Sequence, residues 1–180
     1  MARAASFVVA ALTALSWPVE SGAMSFGDPA LNYVESTSTI ATAGMPTRRQ
    51  LQKLAATRAA VINLAPSDAF GSHDDEQAIV ETAGARYVHV PVDFSRPRHA
   101  DFERFTRELR VFTGKPVLVH CQLSMRASVF VYLYRVTELG EDPERVYDDV
   151  LKIWQPNAVW SRFVRDELQA RGIRVPLAAD

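Results

Sequence analysis

The sequence predicts an α/β fold with a mainly parallel central sheet flanked by helices, followed by a helical C-terminal part. Short apolar runs rich in β-branched residues alternate with stretches of helical period, which is the pattern of βαβ units with right-handed crossovers. From Arg126 onward the apolar spacing is wholly helical. A chain of 180 residues with 48% hydrophobic content has the size of one domain and can bury a substantial core.

The first half of the predicted domain contains two strands and two helices. Residues 37–42 are β-branched and alternating, and they predict an edge strand. Residues 47–57 begin with the spacing of a capping box and predict a helix. The apolar run 60–64 predicts a short strand, and a helix over residues 75–83 is expected to end at Gly84.

The second half delivers two more strands and then only helices. Val129, Phe130, Leu133 and Val136 indicate a buried central helix rather than one in a membrane. Proline after Asp142 is typical of a first helical position. These elements are predicted as strand 87–91, helix 100–112, strand 116–120, and helices 127–139, 143–154 and 157–172.

The N-terminal residues 1–23 have the features of a secretory signal peptide: one arginine, an apolar run too short to span a membrane, and small residues before the expected cleavage point. We therefore expect an exported protein, periplasmic or secreted, without stable membrane insertion after removal of the signal. An uncleaved anchor is the alternative, as is a cytoplasmic protein if Met24 is the true start. Residues 24–36 are then an N-terminal arm, 37–172 the folded domain and 173–180 a tail.

The overall charge gives no basis for nucleic-acid binding, because the formal net charge is only −1. An anionic substrate would have to be drawn by local positive charge. The sequence contains a single cysteine, Cys121, so an internal disulfide is excluded. For an exported protein this favours a chemical role for the thiol, although a buried structural cysteine is the alternative.

The thiol lies in a tight loop between a strand that stops at His120 and a helix that resumes around Arg126. Successive backbone N–H groups in such a loop form a concave nest, and the following helix adds unpaired donors and its positive dipole end. The same field stabilises a thiolate. Arg126 would supply a planar fork that matches two oxygens of a phosphate-like anion. The expected anion-binding residues are His120, Gln122, Leu123, Ser124, Met125 and Arg126.

Two other loops are expected beside this one, since ligands in parallel sheets bind beyond the carboxyl ends of the strands. One follows Leu64 and carries Asp68. The other follows Pro91 and carries Asp93 and Asp101, with positive charge from Arg96, Arg98 and His99. Asp101 falls in the first turn of a predicted helix, where the dipole favours an acid. Neither the cluster around His73 nor the one around His99 has enough ligands for a metal, so no metal or other cofactor is expected.

Five stretches of the chain together form a recognisable pattern: Ala43-Gly44-Met45-Pro46-Thr47, Val61-Ile62-Asn63-Leu64, Tyr87-Val88-His89-Val90-Pro91-Val92-Asp93, the loop from His120 to Ser128, and Pro156-Asn157. With these stretches the chain, from about residue 40 to 168, resembles the cysteine-dependent phosphatase superfamily. Within it the chain is similar to the bacterial group of dual-specificity-like protein tyrosine phosphatases that includes the domains related to beta-lactamase hydrolase. This implies a dual-specificity-phosphatase-like fold for residues 37–172.

The resemblance implies a metal-independent phosphoric monoester hydrolase acting on a phosphorylated protein, including phosphotyrosine, or on a small phosphoester. Cys121 would be the nucleophile, Arg126 the phosphate clamp and Asp93 the general acid, with a cysteinyl-phosphate intermediate. His120 would orient the loop and support the thiolate; a strand-end histidine whose ring is satisfied by the backbone is the alternative. For Ser124 and Ser128, and for Asn157, local loop or helix capping is the alternative to a role at the site.

One departure from the family pattern leaves other chemistry open. Four residues separate Cys121 from Arg126, without a glycine, whereas most of the superfamily has a loop one residue longer. A shorter loop after a reactive cysteine also occurs in rhodanese-like sulfurtransferases. A sulfurtransferase and a non-catalytic phosphate-recognition module are therefore the alternative hypotheses.

Overall fold

The computed structural model describes residues 29–174. The predicted signal peptide and the end of the predicted tail lie outside the described residues. Within them the chain forms one five-stranded sheet and six helices. In chain order the elements are β1 (Val34–Glu35), β2 (Ile40–Ala43), α1 (Arg48–Ala55), β3 (Ala60–Asn63), α2 (Glu76–Thr82), β4 (Arg86–His89), α3 (His99–Arg110), β5 (Val117–His120), α4 (Met125–Thr137), α5 (Pro143–Leu151) and α6 (Ala158–Ala170).

The sheet has the strand order β1-β2-β5-β3-β4, so the strand that carries the cysteine loop lies in the middle. β2, β5, β3 and β4 are mutually parallel, and β1 adds antiparallel to the outer side of β2. The predicted α/β class, with a mainly parallel sheet and a helical C-terminal part, is confirmed. All residues of β2, β3 and β5 are buried, which is expected for strands covered by helices on both faces.

The prediction of an edge strand at residues 37–42 is wrong. β2 is an internal strand because β1, from the segment assigned to the N-terminal arm, pairs with it. The first residues of the predicted strand form a turn instead: the hydroxyl of Thr37 accepts hydrogen bonds from the backbone N–H groups of Thr39 and Ile40. Side-chain capping of this kind competes with strand formation.

Hydrophobic residues pack on both faces of the sheet. The larger cluster contains Val117, Val119 and Cys121 together with residues of α3 to α6, and the smaller contains Leu118 with residues of α1 and α2. The alternation follows from the two-residue period of a strand. Between Arg126 and Val136 every residue of α4 is buried, which confirms the predicted central helix.

The helix starts follow the predicted capping signals. Thr47 and Gln50 form a capping box at α1, Asp142 accepts two backbone N–H groups at α5, and Asn157 accepts the N–H of Trp160 at α6. The helix-capping alternative for Asn157 is thus what the structure contains. Across residues 29–174, no helix combines the length and the apolar character needed to cross a membrane.

Candidate active site

The cysteine loop is tied to the strands on both sides of β5. The backbone N–H of Cys121 donates to the carbonyl of Ala43 at 3.2 Å, and the carbonyl of His120 accepts from Leu64 N–H at 2.8 Å. Cys121 is fully buried at the carboxyl end of the central strand. The neighbouring strand ends therefore set the position of the thiol.

Hydrogen bonds from Asn32 and Met45 hold the carbonyl groups of the cysteine loop. The carbonyl of Gln122 accepts from Met45 N–H at 3.0 Å, and the carbonyl of Leu123 accepts from the Asn32 side chain at 2.9 Å. Gly44 is needed for this approach, since a Cβ there would lie 3.1 Å from the Gln122 carbonyl oxygen and 3.1 Å from that of Leu31. The loop carbonyls are thus engaged away from the anion site.

The backbone donors of the loop remain unused. Among residues 29–174, the N–H groups of Gln122 and Leu123 have no hydrogen-bond acceptor. Ser124 begins α4 in the left-handed conformation with φ 66° and makes no side-chain cap, so the first-turn N–H groups of α4, beginning with Met125, also stay open. Open backbone donors at a helix N-terminus are groups that can bind an anion, and they lie where the sequence predicts an anion site.

Arg126 supplies a buried positive charge at this site. Arg126 is 8% exposed. Its guanidinium lies over the ring of Phe94, with 5.1 Å between the guanidinium carbon and the ring centroid. Within the described part of the chain it has no carboxylate partner, and its buried Nε has no hydrogen-bond partner. A buried cation without a counter-ion indicates a site for an anion.

Aromatic side chains from the C-terminal part hold Phe94 in place. Its ring lies 5.6 Å from that of Trp154 and 5.5 Å from that of Trp160, between centroids. The indole N–H of Trp160 also donates to the carbonyl of Phe94 at 2.9 Å. The sequence reasoning missed all three aromatic residues. The position of Phe94 directly after Asp93 was the signal that could have found it.

Asp93 is exposed and caps its own turn. One carboxylate oxygen accepts from the backbone N–H of Ser95 at 2.9 Å and from its hydroxyl at 2.7 Å. These hydrogen bonds, with a smaller contribution from Arg96, hold the pKa of Asp93 below its ordinary value. Without substrate the group is therefore a carboxylate.

The two other candidate acids are placed differently. Asp101 lies in the first turn of α3, as predicted, where it accepts from the backbone and guanidinium of Arg98. Asp68 is exposed on the loop after β3. Of the three acids, only Asp93 adjoins a residue that contacts Arg126.

Two of the residues expected to bring positive charge to the site, Arg98 and His99, lie against carboxylates. Arg98 pairs with Asp101, and His99 lies 3.0 Å from the buried carboxylate of Glu167 on α6. The hydroxyl of Ser128 donates to the carbonyl of Met125, which is a local helix contact. His73 approaches the carbonyl of Pro46. In residues 29–174, no group of three or more His, Cys, Asp or Glu side chains is placed to hold a metal ion.

The side chain of His120 lies on the face of the sheet away from the Cys121 cluster, where it meets Glu76. Its Nε2 is 2.6 Å from a carboxylate oxygen of Glu76, and both side chains are almost completely buried. Asn63 donates to the other Glu76 oxygen at 2.9 Å. Burial, and then the negative charge of Glu76, raise the pKa of Tyr87 to about 12. Glu76 had no sequence signal beyond its place at a helix start.

No protein-family profile and no curated protein matches the chain. Several solved structures do match. Two structures of a candidate phosphatase of the family DUF442 from Shewanella putrefaciens CN-32 match with TM-scores of 0.72 and 0.69, at 28% and 30% identity. They cover 79% and 80% of this chain and 94% and 93% of theirs.

Two further matches share the fold. Tk-PTP, solved in its active form, is 24% identical with a TM-score of 0.64, over 78% of this chain and 97% of its own. TpbA from P. aeruginosa, in complex with phosphotyrosine, is 21% identical with a TM-score of 0.64, over 81% of this chain and 91% of its own. With the Shewanella match at 30% identity over 93% of that protein, the predicted resemblance is confirmed. The chain belongs to the cysteine-dependent phosphatase superfamily, in its bacterial dual-specificity-like group.

Proposed function

We propose that the protein hydrolyses phosphomonoesters without a metal, through a cysteinyl-phosphate on Cys121. The observation that carries this proposal is the buried guanidinium of Arg126, which has no carboxylate partner in residues 29–174. Arg126 lies in the first turn of α4, the helix that follows the cysteine loop. A phosphoryl dianion is the chemical group that such a cation, a helix N-terminus and free loop amides would bind together.

In the proposed complex the phosphoryl oxygens accept from the N–H groups of Gln122 and Leu123, from the first turn of α4, and from the fork of Arg126. Charge in the transition state is spread over the equatorial oxygens, so fixed donors stabilise it.

The first chemical step joins sulfur to phosphorus. The thiolate of Cys121 attacks in line, the bond from phosphorus to the ester oxygen breaks, and protonated Asp93 gives that oxygen its proton. In the second step water attacks phosphorus, the carboxylate of Asp93 accepts a proton from the water, and the thiolate leaves. A substrate dianion beside Asp93 raises the pKa of that carboxyl above its unliganded position, which supports its protonation in the complex.

Aryl phosphates, including protein phosphotyrosine, are the proposed substrates. The aromatic group of Phe94 and Trp154 beside Arg126 favours a flat leaving group, since rings pair well with rings. TpbA, which shares the fold, has been solved with phosphotyrosine. Export, to the periplasm or out of the cell, remains part of the proposal and rests on residues 1–23.

The test is turnover of an aryl phosphate by the wild type, Cys121→Ser and Arg126→Ala. Arg145→Ala is a matched control, because this arginine is exposed and pairs with Glu141. We expect no turnover in the serine variant and a loss of about 10²–10³-fold in the alanine variant, as for removal of one transition-state donor. The control and a chelator-treated sample should match the wild type. Activity that survives Cys121→Ser would contradict the mechanism.

The four-residue spacing of the loop supports sulfur transfer as a second candidate function. In that case the thiolate of Cys121 would attack the outer sulfur of thiosulfate, the S–S bond of thiosulfate would break, and sulfite would leave. The persulfide on Cys121 would be detectable by mass spectrometry as one added sulfur, and aryl phosphates would not turn over. A protein that binds phosphate but performs neither reaction would be a recognition module.

A further inference from the structure

The buried carboxylate of Glu76, which the proposed reaction does not use, lies against His120 at the start of the cysteine loop. The side chain of Glu76 is 4% exposed and that of His120 is not exposed at all, and 2.6 Å separates Glu76 Oε1 from His120 Nε2. The two atoms lie within hydrogen-bonding distance without the alignment of a hydrogen bond. Within residues 29–174 neither atom has another polar partner, and His120 Nδ1 has none.

Burying a carboxylate next to an imidazole lowers the stability of the fold unless other contacts offset the lost hydration. Removing a carboxylate from water costs several kcal/mol in a protein interior, and apolar residues of similar size often serve stability as well or better. The neighbours that offset this cost are His120, the Asn63 amide and the hydroxyl of Tyr87, and each of them is itself a polar group removed from water. This argues that stability alone does not account for Glu76.

The contacts of Glu76 connect the strand ends that form the site. Asn63, at the end of β3, donates to Glu76 and accepts from the backbone N–H of Ala65 at 2.8 Å. His120 ends β5 and is bonded directly to Cys121. Restraining the ring of His120 therefore restrains the peptide that carries the Cys121 N–H.

We propose that Glu76 is a positioning residue, which acts through His120 to hold the cysteine loop in the form whose N–H donors stabilise the thiolate. The inference rests on the proposed nucleophilic role of Cys121. It assigns Glu76 no contact with substrate.

The direction in which Glu76→Gln shifts the ionisation of the Cys121 thiol separates this role from a simple charge effect. The charged or titratable groups around the loop include Arg126 on one face, with Asp93 on the turn beside Phe94. His120, Glu76 and Tyr87 lie on the other face. As a nearby negative charge alone, Glu76 would oppose the thiolate, so Glu76→Gln would make the thiol ionise at lower pH. As a positioning residue, its replacement loosens the loop, so the thiol would ionise at higher pH.

The experiment follows the ultraviolet absorbance of the thiolate against pH in the full chain. Cys121 is the only cysteine, and Cys121→Ser provides the blank. The variants are Glu76→Gln, His120→Gln and the double variant, with Asp75→Asn as the matched control at the same helix start. Asp75 is exposed and pairs with Arg48. Thermal unfolding and kcat/KM on an aryl phosphate are measured in parallel.

We expect the midpoint of the Cys121 thiol titration to rise by about one pH unit in Glu76→Gln, which corresponds to the loss of one hydrogen bond from a loop N–H to the thiolate. We expect kcat/KM to fall by up to about 100-fold. His120→Gln should shift the midpoint the same way, and the double variant should shift it no further than the larger single change. The control should leave both quantities unchanged.

A folded Glu76→Gln protein whose midpoint falls or stays constant would overturn the proposal, as would additive shifts in the double variant. If Glu76→Gln does not fold, Glu76→Asp keeps the charge but withdraws it from His120: positioning predicts a higher midpoint, and a pure charge effect predicts no change. A wild type without phosphatase turnover would reject the proposed function, while the thiolate titration would still decide the role of Glu76.

Discussion

The guanidinium of Arg126 stacks on the ring of Phe94, the residue that directly follows the candidate general acid Asp93. The contact links the loop after β4 to the helix that follows the cysteine. A cation over an aromatic ring is worth about 0.5–2 kcal/mol, more when water is excluded. The position of Asp93, the candidate acid, and the orientation of Arg126, the proposed phosphate clamp, are therefore coupled.

Loss of the Phe94 ring should weaken catalysis. In Phe94→Leu the guanidinium of Arg126 loses the surface that orients it, and we expect kcat/KM on an aryl phosphate to fall by about 3- to 30-fold, which corresponds to the energy of the contact. Phe94→Tyr is the matched control, because it keeps the ring and should stay near the wild-type value. Equal activity of the leucine and tyrosine variants would mean that the stack does not orient Arg126.

Replacing Ser95 should change the pH dependence of the reaction. The Ser95 hydroxyl stabilises the ionised form of Asp93 and lowers its pKa. Since a general acid must be protonated, activity is lost as pH rises through the pKa of that acid. In Ser95→Ala the pKa of Asp93 rises toward its ordinary value, so the high-pH limb of kcat, which reports the acid in the complex with substrate, should move to higher pH.

The Asp93→Asn variant provides the check on that assignment. It should lose about 10²–10⁴-fold in rate and the high-pH limb should disappear, because an amide cannot donate the proton in the same way. A limb that persists in Asp93→Asn, or that moves to lower pH in Ser95→Ala, would assign the acid to another residue.

Adding one methyl group at Gly44 should disturb the anion site. The new Cβ would press on the carbonyl oxygens of Gln122 and Leu31, both backbone atoms that cannot rotate away. Overpacking of this kind costs about 1–3 kcal/mol, and about 2–4 °C in Tm for each kcal/mol in a chain of this size. Inhibition by inorganic phosphate should weaken as well.

Gly84→Ala is the comparison for Gly44→Ala. Gly84 has φ +93°, and none of the described atoms lies within 4 Å of the position that a Cβ would take there. The alanine is strained by its backbone alone, so it should lower Tm without changing inhibition by phosphate. If both variants weaken phosphate binding equally, the effect would be one of general stability.

Glycine should be more stable than alanine at position 124 because of the backbone conformation of Ser124. Its φ of 66° lies in the left-handed region, and its buried hydroxyl has no hydrogen-bond partner in the described part of the chain. Ser124→Gly and Ser124→Ala both remove the hydroxyl, so their difference isolates the backbone. We expect glycine to be more stable by about 0.5–1.5 kcal/mol in denaturant unfolding. An alanine variant of equal or greater stability would show that the left-handed conformation carries no strain.

The local features of the site were predictable from the sequence. Apolar runs, capping residues and the strand-to-helix change around Cys121 depend on near neighbours, and the helix starts at Thr47, Asp142 and Asn157 lie where capping predicts. The edge assignment of residues 37–42 failed because β1, the strand that covers β2 on its outer side, is only two residues long and is too short to show a strand pattern in the sequence.

The α/β class, the loop that carries the only cysteine, and the arginine that follows it could all be read from the order of the amino acids. The stack of Arg126 on Phe94, the approach of Glu76 to His120 and the central place of β5 in the sheet became visible only in the folded chain. Periodicity and capping are set by adjacent residues, whereas these contacts join segments far apart in the chain and form only when the core packs.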